Sequence, residues 1–329
     1  MAAAAGRRTM LALGVLLAAA LLYYSLRGID WTEVRLVVRA ANSTYLLGCA
    51  ALATVTLFLR AYRWRILLNA EADVSVSTAF WATAAGYFGN NFLPARAGEL
   101  VRTFFVASAY GLSNAYVLAT AISERVADAV ALVVCTALVL LTLPSPPGWL
   151  AGAARPFAIA GLLGAIAVGV LPLLGSAGRR VIEFAPIPVS WRPRLTGLMG
   201  QALDGLRGFH EPLRLTRFLA LTAIIWALDA VGTVGAARAL GFTMPFAVAC
   251  LLIAGLSVGS ALPATPGYVG IYQFVAVSVL TPFGFSRTNA IAFILVTQAL
   301  MYAVIGFWGS LGLLRYKQMR ARQPRMAKP

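Results

Sequence analysis

Apolar residues run along the chain in long blocks, and the polar residues fall between them in short clusters. An apolar run of about 20 residues can cross the hydrocarbon core of a bilayer as a helix, whereas one of about 10–14 cannot. On this pattern full helices are predicted over about Thr9–Leu26, Ser43–Phe58, Asn114–Leu143, Phe157–Leu174, Leu215–Leu240 and Thr288–Leu314. Two further apolar stretches, Ser75–Ala109 and Pro245–Phe283, are interrupted. Pro94 and Gly98 break the first, and Pro263, Pro266 and Gly267 break the second. Beyond Gly98 the remaining apolar run is too short to span, so each stretch predicts a re-entrant hairpin that returns to its own side. The expected fold class is an all-α polytopic membrane protein, with about six full transmembrane helices and two broken hairpins.

The two interruptions are related. Leu93-Pro94-Ala95 and Gly98 recur 169 residues later as Leu262-Pro263-Ala264 and Gly267, and Gly86 matches Gly255 at the same offset. Tyr110-Gly111-Leu112-Ser113 resembles Phe283-Gly284-Phe285-Ser286 at an offset of 173, one helical turn more. The chain therefore reads as one membrane domain over residues 1–314, with repeat halves near 43–143 and 215–314 joined through a polar loop at about 175–214. Three full spans separate the hairpins, so the second is expected to enter from the opposite face. That is an inverted repeat, in which paired Gly/Pro-broken segments mark a transporter's binding site.

Composition sharpens this. With 60% hydrophobic and 12% charged residues, the chain is far from a soluble domain, where charged residues run near 25%. The formal charge of +16 sits in short basic clusters between apolar runs, which is the positive-inside pattern rather than a nucleic-acid surface. It places both termini, residues 60–73 and the 175–214 loop in the cytoplasm of a cell whose inner membrane holds the chain. The tail after Leu314 carries six cations and no acid among residues 315–329 and is expected to be disordered. Arg7-Arg8 before the first apolar run also fits a secretory signal, but the run continues into Tyr23-Tyr24 without a cleavage site, which favours an uncleaved helix. Cys49, Cys135 and Cys250 lie singly in apolar stretches, and His210 is the only histidine. Neither a disulfide framework, a metal centre nor any other cofactor is indicated.

Charge inside the apolar stretches carries the candidate chemistry, because ionisable groups at membrane depth are costly and mark functional sites. In the first hairpin, Asn90, Asn91, Arg96, Glu99 and Arg102 cluster around the break, with Glu99 and Arg102 on one face of a helix starting after Gly98. Arginine forks at a helix amino terminus suit a phosphate. Glu124, Arg125 and Asp128 project from one side of the next helix. They fit either a neutralised salt-bridge network or a binding site. Asp229 is a lone acid in an apolar helix and is expected to pair with Arg125 or Arg96. In the second hairpin Tyr268, Tyr272 and Gln273 offer hydrogen bonds without charge, and at the 173 offset Thr297 and Gln298 stand where the first half has Glu124 and Arg125. Tyr62-Arg63-Trp64-Arg65, just after Arg60, reads first as an interfacial anchor at a helix end and second as a headgroup contact.

Together, Arg60-x-x-Arg63-Trp64-Arg65, the run Asn90 to Arg102, Glu124-Arg125-x-x-Asp128 and Pro263-Ala264-x-Pro266-Gly267 resemble the lysylphosphatidylglycerol synthase transmembrane (flippase-like) family over almost the whole chain. The resemblance implies a lipid flippase. In multiple peptide resistance factors such a module accompanies a soluble aminoacyl transferase. This sequence ends at Pro329 without one, so lipid movement without lysyl transfer is expected. The cargo stays open among anionic phospholipids, hopanoids and polyprenyl-phosphate glycolipids. The expected partners are membrane lipids, with lipid- or glycan-synthesis enzymes next and nucleic acid excluded. Two other readings remain: a membrane-embedded lipid or sugar transferase using Asp30 or Glu33 as a base, and a non-catalytic subunit of a lipid-synthesis complex. No glycine-rich, metal or nucleophile motif supports an enzyme.

Overall fold

The computed structural model describes residues 16–93, 97–142, 211–261 and 266–322, with isolated residues between 152 and 209. Among these residues all regular structure is helical: α1 (Leu16–Leu26), α2 (Trp31–Arg39), α3 (Ser43–Leu68), α4 (Val76–Phe92), α5 (Gly98–Tyr110), α6 (Asn114–Thr142), α7 (Pro212–Ala239), α8 (Phe246–Ala261), α9 (Ile271–Leu280) and α10 (Arg287–Arg322), with short 3₁₀ turns at Pro266–Tyr268 and Thr281–Phe283. The expected helix at 157–174, most of the 175–214 loop, and Pro94, Arg96 and Pro263 lie outside the described residues.

Local chemistry sets the starts and stops. The Asp30 carboxylate accepts from Thr32 N–H (2.8 Å) and Glu33 N–H (3.2 Å) and so opens α2. Asn42 caps α3 in the same way, each cap satisfying donors that a helix start leaves unpaired. Asp30 Oδ1 thus has a structural task at the start of α2. Helix α4 stops at Leu93, whose backbone is extended (φ −101°, ψ 150°), because the ring of the following proline excludes the helical conformation. Gly111 ends α5 in the left-handed region at φ 68°, where a residue with a Cβ is disfavoured.

Among the described residues three helices, α3, α7 and α10, are long and apolar enough to cross a membrane. At 1.5 Å per residue, the 26 residues of α3 extend about 39 Å, more than a hydrocarbon core of about 30 Å. Two boundaries differ from the sequence expectation. Helix α3 continues ten residues past Phe58, so Arg60 to Arg65 lie inside it, and Arg63 and Trp64 are fully buried rather than interfacial. Helix α10 runs to Arg322, so the first half of the basic tail is helical rather than disordered. In both cases a cluster of cations resembled a membrane exit, but cations with long stems are also good helix formers.

Packing follows the repeat. The first helices of the two halves, α3 and α7, lie antiparallel: Asn42 N–H donates to Ala239 O at one end, and Arg63 reaches Thr222 toward the other. Equivalent helices running in opposite directions make the halves an inverted pair. The hairpins correspond in detail. A Cβ added to Gly86 would touch Arg102 Cβ at 3.1 Å, and one added to Gly255 would touch Val275 at 2.9 Å; Val275 is the position 173 residues after Arg102. Small residues at these positions let the hairpin arms approach backbone to backbone. The approach is tightest at Gly98, where an added Cβ would overlap the Gly86 carbonyl oxygen and the Asn90 side chain.

Candidate functional site

Four arginines and four carboxylates converge where α3, α5, α6 and α7 meet beside α4. Arg63, on α3, is completely buried. Its Nη1 donates to Asp128 Oδ1 (2.6 Å) and Thr222 Oγ1 (2.9 Å), and its Nη2 to Asp128 Oδ2 and Glu124 Oε1 (both 2.9 Å). Arg102, on α5, is 1% exposed. It donates from Nε to Glu99 Oε2 (2.5 Å), from Nη1 to Glu124 Oε2 (2.8 Å) and from Nη2 to Ala121 O. Glu124 thus bridges two guanidiniums, one oxygen to each. The spacing of Glu124 and Asp128, one helical turn on α6, allows both to grip Arg63 from one face.

Aromatic rings complete the shell. The Arg102 guanidinium lies 4.6 Å over the Trp64 ring and that of Arg63 lies 4.9 Å over Phe218. The Trp64 indole N–H donates to Thr120 Oγ1. Stacked and forked in this way, both cations keep their charge while desolvated. They form the rigid interior of the site.

The rim is different in character. Arg125 donates to Glu99 from Nε (3.0 Å), lies over the Tyr87 ring, and its side chain is 39% exposed. Asn90 Nδ2 donates to the same Glu99 oxygen (3.2 Å). Arg60 pairs with Asp229 and lies 5.0 Å over Trp226. The Asp229 and Glu99 side chains are 23% and 25% exposed, so water or a ligand reaches this edge of the network while Arg63 and Glu124 stay sealed.

Of the residues singled out in the sequence, Asn90, Glu99, Arg102, Glu124, Arg125 and Asp128 come together here. Asn91 does not join them: its amide donates to the Tyr87 carbonyl. Asp229 pairs with Arg60, not with Arg125, because α7 packs antiparallel along α3. Arg60, Arg63, Tyr87 and Trp226 were missed as members. The sequence signal was slight: Arg60 and Arg63 are spaced three apart, which puts both on one helical face, and Glu99, Glu124, Asp128 and Asp229 outnumber Arg96, Arg102 and Arg125 by one.

The second hairpin holds a neutral counterpart. Gln273 Nε2 donates to Gln298 Oε1 (2.8 Å), Gln298 Nε2 donates to Gly267 O (2.6 Å) and Tyr302 Oη (2.7 Å), and the Tyr302 hydroxyl also donates to Gly267 O. Tyr268 and Tyr272 stack at 5.0 Å. Gly267 at φ 77° and Gly270 at φ 90° make the bend after Pro266. As in the first half, the helix following the hairpin ties down the hairpin's second arm, here with amides. A groove of about 820 Å³, lined by Tyr62, Arg65, Asn69, Asp73 and Arg217 among others, lies between α3 and α7 and shares no lining residue with the ionic network.

An α-helical membrane protein with inverted halves and a charged network built around a broken hairpin defines the class. The chain belongs to the family described as the lysylphosphatidylglycerol synthase TM region, whose profile matches residues 11–309. Both hairpins and every residue of the network fall within that match. No curated protein and no solved structure matches the chain. Family membership associates the protein with membrane lipids.

Proposed function

We propose that the protein is a flippase-like transporter that moves a phosphate-bearing lipid, anionic phospholipids first among them, between leaflets of the inner membrane, with both termini in the cytoplasm and without covalent chemistry. The observation that carries this reading is the two-part network: a sealed interior of Arg63, Arg102, Glu124 and Asp128, and a partly exposed rim of Arg125, Glu99, Arg60 and Asp229. A polar headgroup needs charged partners at membrane depth, and a pre-formed network supplies them without exposing bare charge to hydrocarbon. The inverted hairpins give two related faces between which such a site can open alternately.

In this mechanism the interior fixes the helices while the rim exchanges partners. Glu99 holds Arg125 in the resting state, and an arriving phosphate competes for the same guanidinium. Membrane lipids are the partners, and no cofactor takes part. The test is reconstitution: a fluorescent phosphatidylglycerol is placed in proteoliposomes, and its headgroup is probed with a membrane-impermeant quencher. Protein-dependent exchange that Arg125→Gln slows is the expected result. No exchange above protein-free vesicles for phosphatidylglycerol or phosphatidylethanolamine would reject the reading.

A further inference from the structure

The rim contains two arginines whose hydrogen-bonding capacity is not used up, and they lie on facing helices. Arg60 is one turn from Arg63 on α3, and Arg63 bridges Glu124 and Asp128, the two acids that flank Arg125 on α6, so Arg60 and Arg125 border the same bridge. Arg125 lies over the Tyr87 ring of α4 and Arg60 over the Trp226 ring of α7. A guanidinium carries five N–H donors. Arg60 uses only Nη2, toward Asp229, and Arg125 uses Nε and Nη2, both toward one oxygen of Glu99. Among the described residues the remaining donors have no protein acceptor. Beside Arg60, the buried Trp226 Nε1–H also lacks one.

Arg63 and Arg102 present the opposite picture. Every nitrogen of Arg102 is engaged, both Nη atoms of Arg63 are engaged, and both side chains are sealed from solvent. Arg102 cannot take a ligand without losing a protein partner at depth, which is costly, and the one unpartnered donor of Arg63, Nε, is itself buried.

We propose that Arg60 and Arg125, with Tyr87 beside Arg125, form the phosphate subsite of the transported lipid. This rests on the flippase reading and names the atoms that meet the cargo. A phosphodiester has two free oxygens and matches the arginine fork. One oxygen meets the free donors of Arg60, the other meets Arg125 Nη1, and the Tyr87 hydroxyl supplies a further donor. Each guanidinium lies over an aromatic ring, Trp226 at 5.0 Å and Tyr87 at 5.4 Å, which holds its plane in place before the ligand arrives. Among the described residues the four arginines are matched by Glu99, Glu124, Asp128 and Asp229. The arriving phosphate therefore displaces charge rather than filling an electropositive hole, and Asp229, whose carboxylate accepts only from Arg60 among the described residues, is the carboxylate that yields first. The recognised group is the phosphodiester itself, common to anionic and zwitterionic phospholipids.

The experiment measures binding of short-chain dioctanoyl lipids to the purified full chain in detergent. The probes are dioctanoyl phosphatidylglycerol, the matching phosphatidylethanolamine, and dioctanoylglycerol, which lacks phosphate. Because Arg60→Gln alone strands Asp229, the variant is Arg60→Gln/Asp229→Asn, which removes the pair and keeps the charge balanced. Tyr87→Phe removes one hydroxyl, and Arg217→Gln in the groove between α3 and α7 is the control. The parent is expected to bind both phospholipids alike and at least about tenfold tighter than dioctanoylglycerol. The double variant is expected to lose about tenfold toward both, one charge-assisted contact being worth at least that, and Tyr87→Phe severalfold, with Arg217→Gln unchanged. If the parent binds phospholipid but the double variant binds it within twofold of the parent, the subsite is wrong and the flippase reading stands. If the parent shows no preference for phospholipid over dioctanoylglycerol, both fail.

Discussion

Replacing Glu124 by alanine is the most telling perturbation of the network, because one carboxylate serves two buried arginines. Glu124 is 3% exposed, and its oxygens accept from Arg63 at 2.9 Å and Arg102 at 2.8 Å. In Glu124→Ala both guanidiniums stay desolvated, Arg63 keeping Asp128 and Arg102 keeping Glu99. Removing one partner of a buried ion pair costs about 3–5 kcal/mol. Two severed contacts argue for the upper end, while the retained carboxylates argue for the lower. That cost is a large part of a typical total stability of about 5–15 kcal/mol. At about 2 °C per kcal/mol for a chain of this size, thermal unfolding should fall by roughly 6–10 °C. Glu124→Gln keeps the shape and one acceptor and should lose about half as much. The assay is the midpoint of heat-induced loss of the monodisperse peak in detergent. If Glu124→Ala unfolds within 2 °C of the parent, the buried arginines are not held by Glu124 and the interior network has been misread.

Other expectations follow from close contacts. Gly98→Ala places a Cβ against the Gly86 carbonyl oxygen, so the arms of the first hairpin must separate; a loss of about 1–3 kcal/mol or more should appear as a lower unfolding midpoint together with slower lipid exchange. Gln298→Leu leaves the Gln273 amide and the Gly267 carbonyl short of partners, and should lower stability by about 1–3 kcal/mol while leaving phospholipid binding at the Arg60–Arg125 rim intact. Cys135, on α6, packs against the buried cluster that contains Cys250, on α8. Treatment with a copper–phenanthroline oxidant should therefore join them, read as two proteolytic fragments that separate only after reduction, and no cross-link would refute the packing of α6 on α8.

Much of the fold could be read from residues. The break after Leu93 follows from the proline that succeeds it, and the second break follows from Pro266 and Gly267; both hairpins lie close to where the apolar pattern put them. Glu99, Arg102, Glu124 and Asp128 were legible as a cluster because helical spacing and membrane depth are both sequence properties. Arg60 and Arg63 were not. Their cations sit at the end of an apolar run, and a single sequence does not distinguish a helix that leaves the membrane from one that continues with its charged face turned into the protein. Pairing across the halves was also hidden. Asp229 meets Arg60 because α7 lies antiparallel on α3, a tertiary fact with no local trace. Similarly, Arg102 looked like a ligand contact by residue type, whereas its burial and three acceptors make it part of the scaffold.

The most direct test of the account is the rate at which fluorescent phosphatidylglycerol changes leaflet in proteoliposomes, measured for the parent and for Arg125→Gln/Glu99→Gln. That double change keeps the net charge of the network unchanged, and although it also replaces the Glu99 carboxylate that Arg102 holds, Arg102 retains Glu124. Exchange well above protein-free vesicles in the parent, falling at least about tenfold in a folded double variant, is the predicted result. Exchange as fast in the variant as in the parent, or none in the parent above protein-free vesicles, would contradict the claim that this network carries a lipid headgroup across the membrane.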